Sequence, residues 1–416
     1  MERPVTRRPT SRGAQGDQAG LALTSAAVAL LALARTAVSV VFDLPLATLV
    51  VASAAAAVLG WSLSRGSAGG RARARPATVA LLAVAVAIAA VAVRLEFLSF
   101  AHEDIVFTNW GVTLAGTLYR PRVAGPHPAV VIVHGSGPER RREYAYYAKR
   151  LARAGMASLV YDKRGTGAST GALYAADYQD YARDVAAAVR ALRARADIRA
   201  ERIGLVGFSE AEWTAPLAAL EVGGIAAIAI VGASGVSPAA QVNAEIAIRL
   251  RERGYPDTIV AEALDLNNRV FAYERTGQGA DALQAALKAA AAQRWFRDAG
   301  DIPDALYPMA DYAWWRSVMD FDPSPVWARV TAPVLLLKGG RDPQSPADVA
   351  RREITAALAR GGNHRGEFVL VPDGDHQLLT WPLGRGVPPP LFAGPYPDTL
   401  VSWMKARLDA TGGSAP

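Results

Sequence analysis

The chain has 416 residues, 51% of them apolar, which is enough for a sizeable core and more than one average domain needs. It contains no cysteine, which excludes disulfides and cysteine-ligated metals. The formal charge of +7 suggests nucleic acid, but its distribution argues against a basic DNA-binding face. Residues 1–100 carry ten arginines against four acids, while the remainder, with 35 basic and 34 acidic residues, is nearly neutral.

The basic excess sits beside three apolar stretches, Leu21–Val41, Leu44–Leu63 and Ala77–Val93. Each is about as long as a bilayer crossing requires. The first contains Arg35 and the other two contain no charge. Residues 1–100 therefore read as a membrane anchor with about three transmembrane helices. A second reading makes residues 1–34 a signal peptide, with Ala32-Leu33-Ala34 as its cleavage site. Arg3, Arg7, Arg8 and Arg12 precede the first span, and Arg65, Arg71, Arg73 and Arg75 separate the second from the third. Placing both groups in the cytoplasm satisfies the positive-inside tendency and sends everything after residue 100 to the far side. The expected partner of residues 21–98 is thus the lipid bilayer, with no nucleic acid.

From residue 101 the pattern becomes that of a soluble α/β domain reaching residue 416. Asp104–Thr108 and Val112–Tyr119 flank Asn109-Trp110-Gly111 and predict a hairpin. Short apolar runs follow at Ala129–Val133, Ala157–Tyr161, Ile203–Gly207, Ala226–Val231, Val334–Leu337 and Glu367–Val371. Helical patterns separate most of them, at Glu143–Ala154, Tyr178–Ala194, Ala211–Leu220, Ala347–Ala359 and Pro397–Leu408. Such alternation predicts a mostly parallel sheet with helices on both faces. Between Val231 and Val334 the rhythm breaks. Helical patterns at Gln241–Arg253, Ile259–Thr276 and Ala280–Arg294 indicate a helical lid over about residues 236–328. It is rich in aromatics, among them Trp295, Phe296, Tyr307, Tyr312, Trp314, Trp315 and Trp327.

Gly207-Phe208-Ser209-Glu210-Ala211 follows a predicted strand and opens a predicted helix, the setting of a nucleophile elbow. Downstream, Asp342 follows the run Val334–Leu337, and His376 follows the run ending at Val371. Open α/β sheets place their sites at such C-terminal strand ends. The order serine, aspartate, histidine gives a nucleophile, an acid that orients the imidazole, and a base. Asp373 and Asp375 stand beside His376 but would have to fold back upon it. His134-Gly135-Ser136-Gly137 follows the run Ala129–Val133. Its glycines let backbone amides meet a developing oxyanion, with the amide of Glu210 as one donor and that of Ser136 or Gly137 as the second. His134 reads as a packing residue. His102, His127 and His364 lack ligand spacing, so neither a metal nor a cofactor is expected.

His134–Glu143, the run Tyr161-Asp162-Lys163-Arg164-Gly165-Thr166-Gly167-Ala168-Ser169 and Gly207–Leu217 together resemble the α/β-hydrolase superfamily. They look closest to bacterial carboxylesterases grouped with serine aminopeptidase-like and dienelactone hydrolase-like members. The resemblance covers roughly residues 101–412 and implies the α/β-hydrolase fold. It also implies a structural ion pair involving Asp162 and Arg164 that braces the oxyanion loop. Where the family's elbow commonly continues with two glycines, this chain has Ala211 and Glu212, while Trp213 and Pro216 stand where expected. Glu212 reads either as a solvent-facing acid favourable to the helix dipole or as a charge that disfavours anionic substrates. Arg140, Arg141 and Arg142 read as a solvated helix start or as a contact for a substrate carboxylate.

The expected reaction is acyl transfer from a small uncharged ester to water through an acyl-serine. A thioesterase, a small-peptide aminopeptidase and an inactive membrane-tethered binding module remain as alternatives, the last supported only by Ala211 and Glu212. Oligomeric state is left open.

Overall fold

A computed structural model describes Arg94, residues 98–382 and residues 391–410. The three expected membrane spans lie outside these residues. Among the described residues no helix is long and apolar enough to cross a membrane. The elements of the fold all belong to the unit Phe100–Pro416.

β1 (Phe100–Asn109) and β2 (Val112–Pro121) form the hairpin, longer at both ends than its apolar alternation suggests. Trp110 and Gly111 form the tip with φ of 46° and 85°, the left-handed pair that a two-residue hairpin turn demands. Six parallel strands follow: β3 (His127–Val133), β4 (Ala157–Tyr161), β5 (Ile198–Phe208), β6 (Ile228–Val231), β7 (Val334–Gly339) and β8 (Gly366–Val371). The order across the sheet is β1-β2-β4-β3-β5-β6-β7-β8, with β2 antiparallel to both neighbours.

The central strands carry apolar residues toward both faces because both are covered. Val131 and Val133 of β3 enter one core, and Val130 and Ile132 enter the other. The first core is closed by α2 (Tyr178–Arg193), α3 (Ala211–Val222) and α10 (Ala347–Arg360), through residues such as Val185, Ala215 and Ile354. The second is closed by α1 (Ala145–Arg153) and α11 (Tyr396–Asp409), through Leu151, Leu400 and Met404. A small hairpin, β9 (Leu379–Thr380) with β10 (Leu391–Phe392), lies between β8 and α11 in the chain.

The insertion between β6 and β7 is helical, as its pattern indicates. It comprises α4 (Pro238–Glu252), α5 (Asp257–Thr276), α6 (Ala280–Ala290), α7 (Arg294–Ala299), α8 (Ala313–Val318) and α9 (Ser324–Trp327). Ser237 caps α4 by accepting the Ala240 amide at 3.3 Å, and Pro238 fills the first turn. The insertion has a core of its own, including Ile246, Leu250, Leu266, Leu287 and Trp295.

One expected helix, Ala280–Arg294, is two. Gln293 is extended at φ −89° and ψ 144°, which breaks the alanine-rich run and turns Trp295 and Phe296 into the lid core. The aromatics of the insertion divide by destination. Trp295, Phe296 and Tyr312 fill the lid core, and Trp327 enters the sheet core. Trp314 and Trp315 pack against a cluster containing Leu173, Tyr178 and Trp213, the last of these on α3. Tyr307 is exposed.

Candidate active site

Ser209 stands between β5 and α3 with φ of +50°, a conformation that costs a non-glycine residue about 1–2 kcal/mol. The turn persists because its surroundings fix it. The Ser209 amide donates to the Val231 carbonyl at 2.8 Å, and the Glu212 amide donates to the Ser209 carbonyl at 2.9 Å. Position 207 must be glycine here, since a Cβ would fall 2.5 Å from that of Ala211. The methyl of Ala211 is therefore accommodated by the bare backbone at 207, and the helix still begins directly after the turn.

The three residues singled out at strand ends converge. The Oγ of Ser209 lies 2.9 Å from Nε2 of His376, and Nδ1 of the same ring lies 2.8 Å from Oδ2 of Asp342. They follow β5, β8 and β7, and the intervening strand β6 is followed by Gly232 at φ +79°. A Cβ on Gly232 would sit 3.0 Å from Cε1 of His376 and 2.9 Å from its carbonyl oxygen, so glycine leaves room for the imidazole.

The two neighbouring aspartates are engaged elsewhere. Asp375 closes its own turn, accepting the Gln377 and Leu379 amides at 2.9 Å and the Trp381 indole N–H at 2.9 Å. Asp373 is exposed and pairs with Arg341 at 2.8 Å.

Asp342 is buried, and its carboxylate is fully bonded. Oδ1 accepts the Gln344 amide at 2.8 Å, and Oδ2 accepts the ammonium of Lys338 at 2.6 Å as well as the imidazole. Burial alone would raise its pKa. The His376 hydrogen bond and charge, aided by Lys338, outweigh that and hold it below the usual carboxylate range. Lys338 is 1% exposed and also donates to the hydroxyl of Ser345 at 2.6 Å. Its role was missed in the sequence, although one signal was present. A lysine at the end of the apolar run Val334–Leu337 must find an anion inside the protein.

Glu212 corrects the expectation that it faces solvent. It is 1% exposed, and its oxygens accept the Ser234 amide at 2.8 Å, the Ser234 hydroxyl at 2.5 Å and the Gly235 amide at 2.7 Å. Burial raises its pKa, while these bonds and the charge of Lys338 lower it. Glu212 thus fastens the loop after β6 to α3.

The expected Asp162–Arg164 pair is not formed. Arg164 forks onto Asp184 of α2 instead, with two contacts of 2.7 Å. Asp162 accepts the amide of Arg141 at 3.0 Å and that of Ala168 at 2.9 Å, with the Arg141 guanidinium 3.7 Å away. Asp162 therefore braces the segment after β3 through Arg141. That guanidinium also donates to the Gly116 carbonyl at 3.0 Å, so Arg141 is committed to structure rather than to a substrate carboxylate. Arg140 and Arg142 are exposed.

Ser136 and Gly137 lie in the loop directly after β3, which neighbours β5. Glu210 follows the serine at the head of α3, and Gly135 approaches the Phe208 carbonyl, where a Cβ would lie 3.4 Å away. The amide-bearing segments proposed for an oxyanion site are thus adjacent. His134 is buried, with Nε2 2.5 Å from the Tyr161 carbonyl. Burial, then the charge of Lys163, lowers its pKa to about 3, so the ring is neutral and donates to that carbonyl. Among the described residues no cluster of His, Asp and Glu has the arrangement of a metal site.

The sequence pattern of the Alpha/beta hydrolase family matches residues 130–386. An uncharacterised protein of Pseudomonas aeruginosa is 28% identical over 181 residues, which are 42% of this chain and 44% of that protein. The chain thus spans less than half the length of this curated relative. Among solved structures, a hypothetical protein from Pseudomonas aeruginosa aligns with a TM-score of 0.46 at 19% identity, over 74% of this chain and 94% of the other. Acetyl xylan esterase 1 from Thermoanaerobacterium sp. JW/SL YS485 aligns at 0.45 and 15%, over 76% and 86%. Proline iminopeptidase from Mycobacterium smegmatis aligns at 0.46 and 17%, over 74% and 99%.

Proposed function

The chain belongs to the alpha/beta hydrolase family, and from that premise we propose that it is a serine hydrolase cleaving small carboxylic esters. Ser209 is the nucleophile, His376 the base and Asp342 the acid that orients it. The observation carrying this reading is the line of contacts from Ser209 Oγ to His376 Nε2 at 2.9 Å and from Nδ1 to Asp342 at 2.8 Å. The strained serine backbone at its head supports the same reading.

In the reaction, His376 takes the proton of Ser209 as Oγ attacks the ester carbonyl carbon. The oxyanion meets the amide of Glu210 and that of Ser136 or Gly137. The imidazolium then returns the proton to the departing alcohol, leaving an acyl-serine. Water attacks that ester by the same route, and Ser209 is regenerated. Asp342 holds the imidazole with its proton on Nδ1, so that Nε2 faces the serine.

A fluorophosphonate probe should label the protein, and label it no longer once Ser209 is replaced. A panel of p-nitrophenyl esters of rising acyl length, run beside thioesters and aminoacyl-anilides, should show turnover of the short esters first. A protein that takes neither label nor substrate would be a binding module. Faster cleavage of the anilides would make it an aminopeptidase.

We further propose that residues 1–100 anchor this domain in the membrane, with the catalytic residues outside the cytoplasm. The three apolar stretches and the two arginine groups around them support this. A C-terminal alkaline phosphatase fusion should be active. An inactive phosphatase fusion paired with a fluorescent GFP fusion would place the domain in the cytoplasm, which would follow if Arg35 kept the first stretch from inserting.

A further inference from the structure

Two loops carry the candidate oxyanion amides, and one buried side chain from a third loop holds both. Lys163 follows β4, on the far side of β3 from the elbow. Its ammonium donates to the Gly135 carbonyl at 2.8 Å and to Oε1 of Glu210 at 2.6 Å. Lys163 is 4% exposed and Glu210 is 2% exposed. The ammonium also lies 4.5 Å from the centre of the Tyr181 ring, a cation–π contact that closes another side of it.

The two groups it grips are informative. Glu210 supplies one candidate oxyanion amide from its own backbone. The Gly135 carbonyl belongs to the same planar peptide unit as the Ser136 amide. In a trans peptide the C=O and N–H point in opposite directions, so holding the carbonyl inward aims the Ser136 N–H outward. Charge on the carbonyl side also polarises the peptide and strengthens that N–H as a donor. We propose that Lys163 is a positioning residue, one that fixes the separation and direction of the two oxyanion donors through Gly135 and Glu210. The proposal rests on the serine-hydrolase reading above. It gives Lys163 a role beyond neutralising a buried carboxylate.

Removing Lys163 alone would leave Glu210 buried without its cation, which is strongly destabilising. The test is therefore the double variant Lys163→Met with Glu210→Gln, which removes both charges at nearly constant volume. Circular dichroism establishes that it is folded. On a p-nitrophenyl ester its kcat should fall about tenfold to a hundredfold with KM little changed, a part of what losing a whole oxyanion donor costs. The decisive readout compares the ester with its thionoester, whose sulfur is a poor acceptor for oxyanion donors. The ester-over-thionoester rate ratio should fall by about the same factor as kcat. Lys163→Arg, which keeps the charge but not its reach, should fall between the two.

If the folded double variant keeps the wild-type ratio, Lys163 serves only the stability of Glu210 and the proposal is overturned. Failure of the underlying reading looks different, because Ser209→Ala would then retain activity in the otherwise native protein.

Discussion

Ser209→Ala should lower turnover of a p-nitrophenyl ester by roughly a millionfold, leaving only the rate that binding and the oxyanion donors provide. The expectation follows from the 2.9 Å contact between Oγ and His376, which makes the two residues one chemical unit. His376→Ala should therefore cost nearly as much, and the double variant little more than either alone. A glycine at the same place separates chemistry from stability. Ser209 has φ of +50°, so Ser209→Gly should be as inactive as the alanine variant yet about 1 kcal/mol more stable to denaturant. Ordinary esterase activity in either purified serine variant would end the assignment. Equal stability of the glycine variant and the wild type would show that the turn holds no strain.

The features legible in the sequence are those that repeat locally or follow chain order. β3, β4 and β7 are read from apolar runs because both of their faces are buried, and the lid is read from a missing rhythm. Ser209, Asp342 and His376 stand out because each follows a strand, in one order. The features that stayed hidden depend on partners far apart in the chain. Lys163 reaches Glu210 across 47 positions, and Glu212 reaches Ser234 across 22. No periodicity encodes such pairs, and the only trace is a charge in surroundings too apolar to leave it single. Asp162 and Arg164 show the opposite failure. The family resemblance implied one pair, whereas the fold brings Arg141 to the first and Asp184 to the second. The lid helix that ends at Ala290 was hidden for a third reason. Its alanines continue to favour helix, and the burial of Trp295 and Phe296 overrides them.

Asp342 has a second buried partner, Lys338, beside His376, and that partner sets the expected outcome of replacing it. Asp342→Ala should cost on the order of 10⁴ in turnover, the scale of losing a triad acid. Asp342→Asn should cost less, and the reason lies in Lys338. In many triads the amide of such an asparagine turns its NH₂ toward the imidazole and forces the wrong tautomer. Here the atom at the Oδ2 position faces the Lys338 ammonium at 2.6 Å, while Oδ1 faces the Gln344 amide at 2.8 Å. A hydrogen bond to a charged group contributes about 1.5–3 kcal/mol and a neutral one about 1 kcal/mol, so the amide oxygen settles toward Lys338. It then also accepts the Nδ1 proton of His376, and the productive tautomer survives. What is lost is the negative charge beside the imidazolium, and the expected cost is roughly 10²–10³, short of the full loss of the triad acid. Adding Lys338→Met to Asp342→Asn frees the amide to turn, and turnover should drop further, to about the level of Asp342→Ala. Purified variants, checked for folding and compared by kcat on one ester, decide the matter. If Asp342→Asn is already as poor as Asp342→Ala, and Lys338→Met makes it no worse, Lys338 does not orient the group that orients the histidine.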